Sequence, residues 1–224
     1  MREMIRDRRL VRHVKRFTKP HYLMNDSGHG LVHRDITTKR GLRFVDQATE
    51  PVDRRSVYVG AMYHDVGHHI DQDKHEEISA QMCEDDKKLQ QFFSKNEIIE
   101  IAQGIADHRA SNPNDPPNMI GKIITTADYR TNLTNFLEGS YVYRRRNNSG
   151  MELPEIIDDA WEYTRKKFGK QGYALSKMYF HDPEIIDFLQ QARDLTSSKE
   201  VFTFFFLQVI SDYHKKHDAR DILI

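Results

Sequence analysis

The residues of this chain best suited to chemistry are its histidines and aspartates. Twelve histidines are present, and four of them, His64, His68, His69 and His75, fall within one stretch of twelve residues. The densest part reads Ala61-Met62-Tyr63-His64-Asp65-Val66-Gly67-His68-His69. It ends an apolar segment with an adjacent His-Asp pair, and a carboxylate buried there has to be paired or to bind a cation. Imidazole and carboxylate together suit Mn, Fe, Zn, Ni or Co. The same two residue types recur at inward positions elsewhere. His33 stands three residues before Ile36, and His108 continues the row Ile98, Ile101, Ile105. Asp128 follows Ile124 by four and Ile120 by eight, and His75 shares a helical face with Ile78 and Met82. Five segments therefore each aim an ionisable group at the core, which is how helical bundles build metal sites.

The order His33, His64-Asp65, His75, His108, Asp128 resembles the HD-domain superfamily of metal-dependent phosphohydrolases. The stretches that carry the likeness are His29-Gly30-Leu31-Val32-His33, Ala61 to His68, and Ile123-Ile124-Thr125-Thr126-Ala127-Asp128. The resemblance covers roughly residues 20 to 135 and implies an all-α helical bundle. It implies that His33, His64, Asp65 and Asp128 hold one divalent ion. It also implies that Asp65, His75 and His108 hold a second, with Asp65 bridging the two. One or two ions per chain are expected, drawn from Mn, Fe, Mg, Zn, Ni or Co, and a small phosphorylated molecule as substrate. Two rivals share the ligand set: a mixed-valence di-iron oxygenase and a non-catalytic nucleotide-binding regulator. The glycine-tyrosine-proline signature of cyclic-dinucleotide members is absent. His68 and His69 stand where guanosine-tetraphosphate hydrolases carry Glu-Asp.

Each assignment competes with a plainer one. For Asp128 it is a salt bridge with Arg130 or Arg34. For His75 it is exposure at a helix start among Lys74, Glu76 and Glu77, and for His108 a satisfied core histidine. His68, close to the His-Asp pair, is the candidate for contacting phosphate or acting as general acid, so Asp65 and His68 form the catalytic set. His29 is expected to fix the turn before His33, and His69 to face solvent. Arg109, Lys122 and Arg144 are candidate phosphate-binding residues, the last in the stretch Tyr141 to Arg146. A surface role is the alternative for each.

The elements that must position these groups read as helices throughout, with no convincing strand alternation. They are expected over 3–17, 30–48, 57–66, 73–93, 96–109, 118–139, 155–168, 182–195 and 199–217. Asp73 is the expected cap of the fourth. The run Asn112 to Pro117 breaks the chain, and the polar stretch Arg144 to Pro154 is the expected boundary. The whole, 1–224, is expected to form a single HD-type domain with a ligand-bearing core over about 20–140 and a helical extension over about 150–224. The aromatic run Phe202 to Phe206 suits core packing or a contact in a homo-oligomer.

Composition sets the outer bounds. The chain has 224 residues, and 34 Lys+Arg balance 34 Asp+Glu, giving a formal net charge of zero. That argues against a stable nucleic-acid complex or anionic-membrane binding by the surface at large, a local basic patch being the exception it leaves open. The single cysteine, Cys83, excludes an internal disulfide and fits a reducing, cytoplasmic setting. The basic start lacks the apolar stretch of a signal peptide, and no apolar run is long enough to span a membrane.

Overall fold

In the computed structural model, residues 5–26, 28–148 and 150–221 are described; the expected start at Glu3 lies outside them. The described residues form ten α-helices and three short 3₁₀ segments, with no strand among them, so the fold is all-α. They divide into two compact units. One comprises residues 1–129 with 176–180, the other 130–175 with 181–224.

The first unit holds α1 (Arg8–Met24), α2 (Leu31–Phe44), α3 (Arg54–Tyr63), α4 (His75–Asp85), α5 (Lys95–Ala106) and α6 (Met119–Ala127). Helix α1 starts at Asp7, whose carboxylate accepts the Arg9 and Leu10 N–H groups, and buries Leu10, Val14, Thr18 and Tyr22 at a spacing of four. Helix α3 is the centre of the unit: Ser56 to Tyr63 are all buried, as its apolar composition predicts. Helix α5 opens with a capping box between Ser94 and Glu97 and buries Ile98, Ile101 and Ile105.

Glycines let these helices approach. A Cβ on Gly60 of α3 would lie 2.7 Å from Ile124 Cδ1 of α6. One on Gly104 of α5 would lie 2.8 Å from the Gly121 nitrogen of α6. Gly41 of α2 is a packing residue, its face turned to Val57, Ile123 and Ala127.

Three expected boundaries move. Helix α4 does not continue to Phe93, because Asp86 turns its buried carboxylate to the Tyr63 hydroxyl (2.6 Å), His13 Nε2 and the Lys88 N–H. Asp73 does not cap α4, whose N-cap is Lys74 with no side-chain cap; Asp71 closes the turn before it, accepting the Asp73 and Lys74 N–H groups. The helix expected over 118–139 is broken at Asp128. There Arg40 takes the carbonyls of Ala127 (2.9 Å) and Tyr129 (2.7 Å), and Asn132 caps a new helix through the Asn135 N–H.

The second unit holds α7 (Leu133–Asn147), α8 (Leu153–Phe168), α9 (Pro183–Leu195) and α10 (Lys199–Asp221). Arg144 to Asn147 are thus helical, and the division between units falls after Tyr129 instead of in the polar stretch Arg144 to Pro154. Phe136, Phe168 and Phe188 meet edge to face, and Phe202 packs on Trp161 and Phe206. Phe204 from the same aromatic run is 73% exposed. No helix among the described residues is long and apolar enough to cross a membrane.

Candidate metal centre

Six side chains converge in the first unit, from the ends or starts of five elements. His33 lies in the first turn of α2, His64 and Asp65 directly after α3, His75 at the first position of α4, His108 just past α5, and Asp128 at the end of α6. Helix termini suit this work, because there the backbone turns and frees a side chain to point along the axis.

The six divide into two sets that share Asp65. In the first, His33 Nε2 lies 2.9 Å from Asp128 Oδ1, 3.3 Å from Asp65 Oδ2 and 3.1 Å from His64 Nε2. His64 Nε2 lies 3.2 Å from Asp65 Oδ2 and 3.5 Å from Asp128 Oδ1. In the second, the other oxygen, Asp65 Oδ1, faces His75 Nε2 at 3.3 Å and His108 Nε2 at 3.8 Å. Neighbouring ligands on bonds of about 2.1 Å stand roughly 3 Å apart, so the first set has the spacing of a coordination shell. Asp65 Oδ2 is buried without a well-formed hydrogen bond, as a ligand oxygen kept for a cation would be.

The far sides of the rings agree. His64 Nδ1 lies 2.8 Å from the Ala61 carbonyl, His75 Nδ1 2.9 Å from that of Gln72, and His108 Nδ1 2.6 Å from that of Ile105. A ring that donates its Nδ1–H to a carbonyl leaves an Nε2 lone pair facing the centre, the usual support of a ligating imidazole. The plainer reading of His75, exposure at a helix start, therefore falls away. His75 and His108 are 8% and 2% exposed, and Asp128 pairs with His33 while Arg34 pairs with Asp35.

Electrostatics separate the two sets. Burial alone would lower the His64 pKa, but Asp65 and Asp128 outweigh it and raise it to about 10. His33 is raised in the same way, against its burial, by Asp128 and Asp65. Asp65 and Asp128 are both held well below the ordinary carboxylate range, since these histidines overcome the cost of burial. His108 goes the other way, to about 4, through burial and the nearby His64. With no cation, the first set holds protons between its carboxylates, whereas His108 stays neutral and ready to ligate.

His68 is 6% exposed, its Nδ1 buried without a hydrogen-bond partner. Burial and the neighbouring His29 lower its pKa to about 4. Its ring stacks on His29 with centroids 3.9 Å apart, and His29 Nδ1 sits 2.9 Å from Asp26 Oδ1. Asp26, His29 and His68 have donor atoms close enough for an ion. His29 Nδ1 is already taken up by the two Asp26 oxygens, 2.9 and 3.1 Å away. Asp26 also accepts the Gly28 and His29 N–H groups, so the turn leading into α2 is held by Asp26, against which the His29 ring packs its Nδ1. His69 is half-buried, its Nε2 3.1 Å from His21 Nδ1.

Of the candidate phosphate-binding residues, Arg109 touches His75, its Nη2 3.0 Å from His75 Nδ1. Arg109 braces the His75 turn, with Nη2 donating to the Gln72 carbonyl (2.7 Å) and Nε 2.8 Å from Glu76 Oε1. Lys122 lies nearly two turns back along α6 from Asp128, where its charge acts on Asp115. Arg144 is buried in the second unit. Its Nε and Nη2 donate to the carboxylate and carbonyl of Asp159, and its Nη1 to Ser140. A guanidinium so committed is a packing element of that unit.

Sequence reasoning passed over Tyr22 and Asn25. The Tyr22 hydroxyl lies 3.2 Å from His64 Nδ1 and accepts the Asp65 N–H, while Asn25 Nδ2 donates to the Asp65 carbonyl at 3.0 Å. Only their nearness to the His29-Gly30 turn could have marked them.

An all-helical unit with two His/Asp sets around one buried aspartate defines a metal-binding helical domain. Residues 30–133, which contain all six side chains, match the family model of the HD domain. No curated protein and no solved structure matches the chain.

Proposed function

We propose that the protein is a metal-dependent phosphohydrolase with a two-metal centre, acting on a phosphate ester or anhydride of a nucleotide or another small metabolite. One observation carries this reading: the two oxygens of Asp65 face two different pairs of imidazoles, 3.2–3.3 Å away on one side and 3.3–3.8 Å on the other. A buried carboxylate so placed is hard to explain with fewer than two cations.

His33, His64, Asp65 and Asp128 would hold the first ion, and Asp65, His75 and His108 the second. Bound there, two divalent ions supply a nucleophilic water at neutral pH and neutralise phosphate oxygens. The chain does the rest. The carbonyls of Ala61, Gln72 and Ile105 fix the three rings they bind. The Asp128 side chain is 32% exposed, against 2% for Asp65, so substrate approaches from the Asp128 side. Neutral His68 offers a ring N–H to a phosphate oxygen or to the leaving oxygen.

The test is elemental analysis of the protein as purified, followed by phosphate release from a panel of phosphomonoesters and nucleotides with added Mn²⁺. Metal-dependent release lost on chelation is the expected result. Oxygen uptake with no phosphate release would assign the centre to the di-iron oxygenase reading instead.

A further inference from the structure

Helix α1 carries six cations, Arg8, Arg9, Arg12, Lys15, Arg16 and Lys19, and no acidic residue. At about 100° per residue all six fall within a sector of roughly 120°, and each is exposed. The opposite side of the helix is its buried stripe, Leu10 to Tyr22. None of the six has an ion-pair partner among the described residues. Some surface cations elsewhere are matched with acids, as in Arg54–Asp46, Arg109–Glu76 and Arg165–Glu162. On α1 the pairs Arg8/Arg12, Arg12/Arg16 and Lys15/Lys19 stand four apart and repel. Arg8 and Arg9 also face the positive end of the helix dipole. Six cations without acidic partners among the described residues thus share one helical face.

We propose that this face of α1 binds the phosphate backbone of a single-stranded nucleic acid. The cations recur about once per helical turn, a ladder suited to a regularly repeating anion. Four of the six are arginine, whose planar fork pairs with phosphate through two parallel hydrogen bonds. An anionic membrane is the rival surface. Along the cationic stretch Arg8 to Lys19, however, no large apolar side chain is exposed; Leu23 and Met24 are exposed only at the far end of the helix, beyond the last cation, which leaves the ladder itself nothing to insert between lipids. The net neutrality of the chain is no obstacle, since backbone binding draws on local charge. The proposal does not rest on the hydrolytic reading.

The experiment is fluorescence anisotropy of a labelled, unstructured oligouridylate with the full chain, across a salt series. It is repeated with phosphatidylserine vesicles and with the variant Arg12→Ala/Arg16→Ala/Lys19→Ala. Alanine favours helix at exposed positions, and circular dichroism checks that α1 persists. A second variant, Arg165→Ala/Lys166→Ala on α8, controls for loss of charge in general. Expected are salt-dependent binding by the wild type and a log–log salt slope shallower by about 0.7 for each lost contact. Affinity should fall roughly tenfold or more in the α1 variant and stay unchanged in the α8 variant. The proposal is overturned by absence of wild-type binding at low salt, by equal loss in both variants, by an α1 variant that binds like wild type, or by tighter binding to vesicles than to RNA.

Discussion

At the scale of the residue, the proposed chemistry turns on Asp65. It is 2% exposed and divides its two oxygens between two sets of histidines. Asp65→Ala should therefore lose most bound metal and lower phosphate release by about 10³-fold or more, the loss of several kcal/mol of barrier lowering. Activity near wild type in that variant would rule the mechanism out. The pH dependence of loading follows from the same geometry. In the metal-free protein His64 has a pKa of about 10 against an ordinary 6.5, so at neutral pH it is charged. Its contribution to metal-free stability is complete below about pH 6.5 and falls away as pH rises through about 10. Ligation needs the neutral ring, so loading the first set must expel protons, and affinity should climb from pH 6.5 to 8.5. Calorimetry in buffers of different ionisation enthalpy measures that release; an affinity flat over the range would contradict it.

At the scale of the element, the centre depends on how closely α3, α5 and α6 approach, and glycine sets that distance. Gly104→Ala would place a methyl group 2.8 Å from the Gly121 backbone nitrogen, an atom that cannot swing aside. Alanine gains up to about 1 kcal/mol in helix propensity, but overpacking costs about 1–3 kcal/mol, so the variant should be less stable. Denaturant unfolding checks this, and a rise in midpoint would show the packing argument to be wrong. These elements were also what the sequence told best. The row Ile98, Ile101, Ile105 marked α5, and the apolar run from Val57 marked α3, because core-facing helices repeat their apolar residues regularly. The ligand positions were legible for the same reason, being ionisable groups in apolar register. The breaks at Asp86 and Asp128 were not, because each rests on a partner distant in sequence: Tyr63 and His13 for the first, Arg40 for the second. Arg144 was misread likewise, since its partner Asp159 lies on the next helix.

At the scale of the whole molecule, the ions would join the ends of five helices of the first unit, while the core of α3 and its neighbours is apolar and closed without them. Chelation should therefore leave the helical circular dichroism little changed yet lower the melting temperature. Added Mn²⁺ should raise it in a concentration-dependent way, as mass action requires of a ligand that binds the folded state. Collapse of helicity on chelation would mean that the centre is a folding requirement. The central claim is that Asp65 bridges two ions, and metal stoichiometry tests it most directly. Elemental analysis of wild type and of His75→Ala/His108→Ala, both purified without chelators, should give two metals per chain and about one. The first ion survives because its four ligands lie elsewhere. One metal in the wild type and the same count in the variant would contradict the account and make His75 and His108 structural.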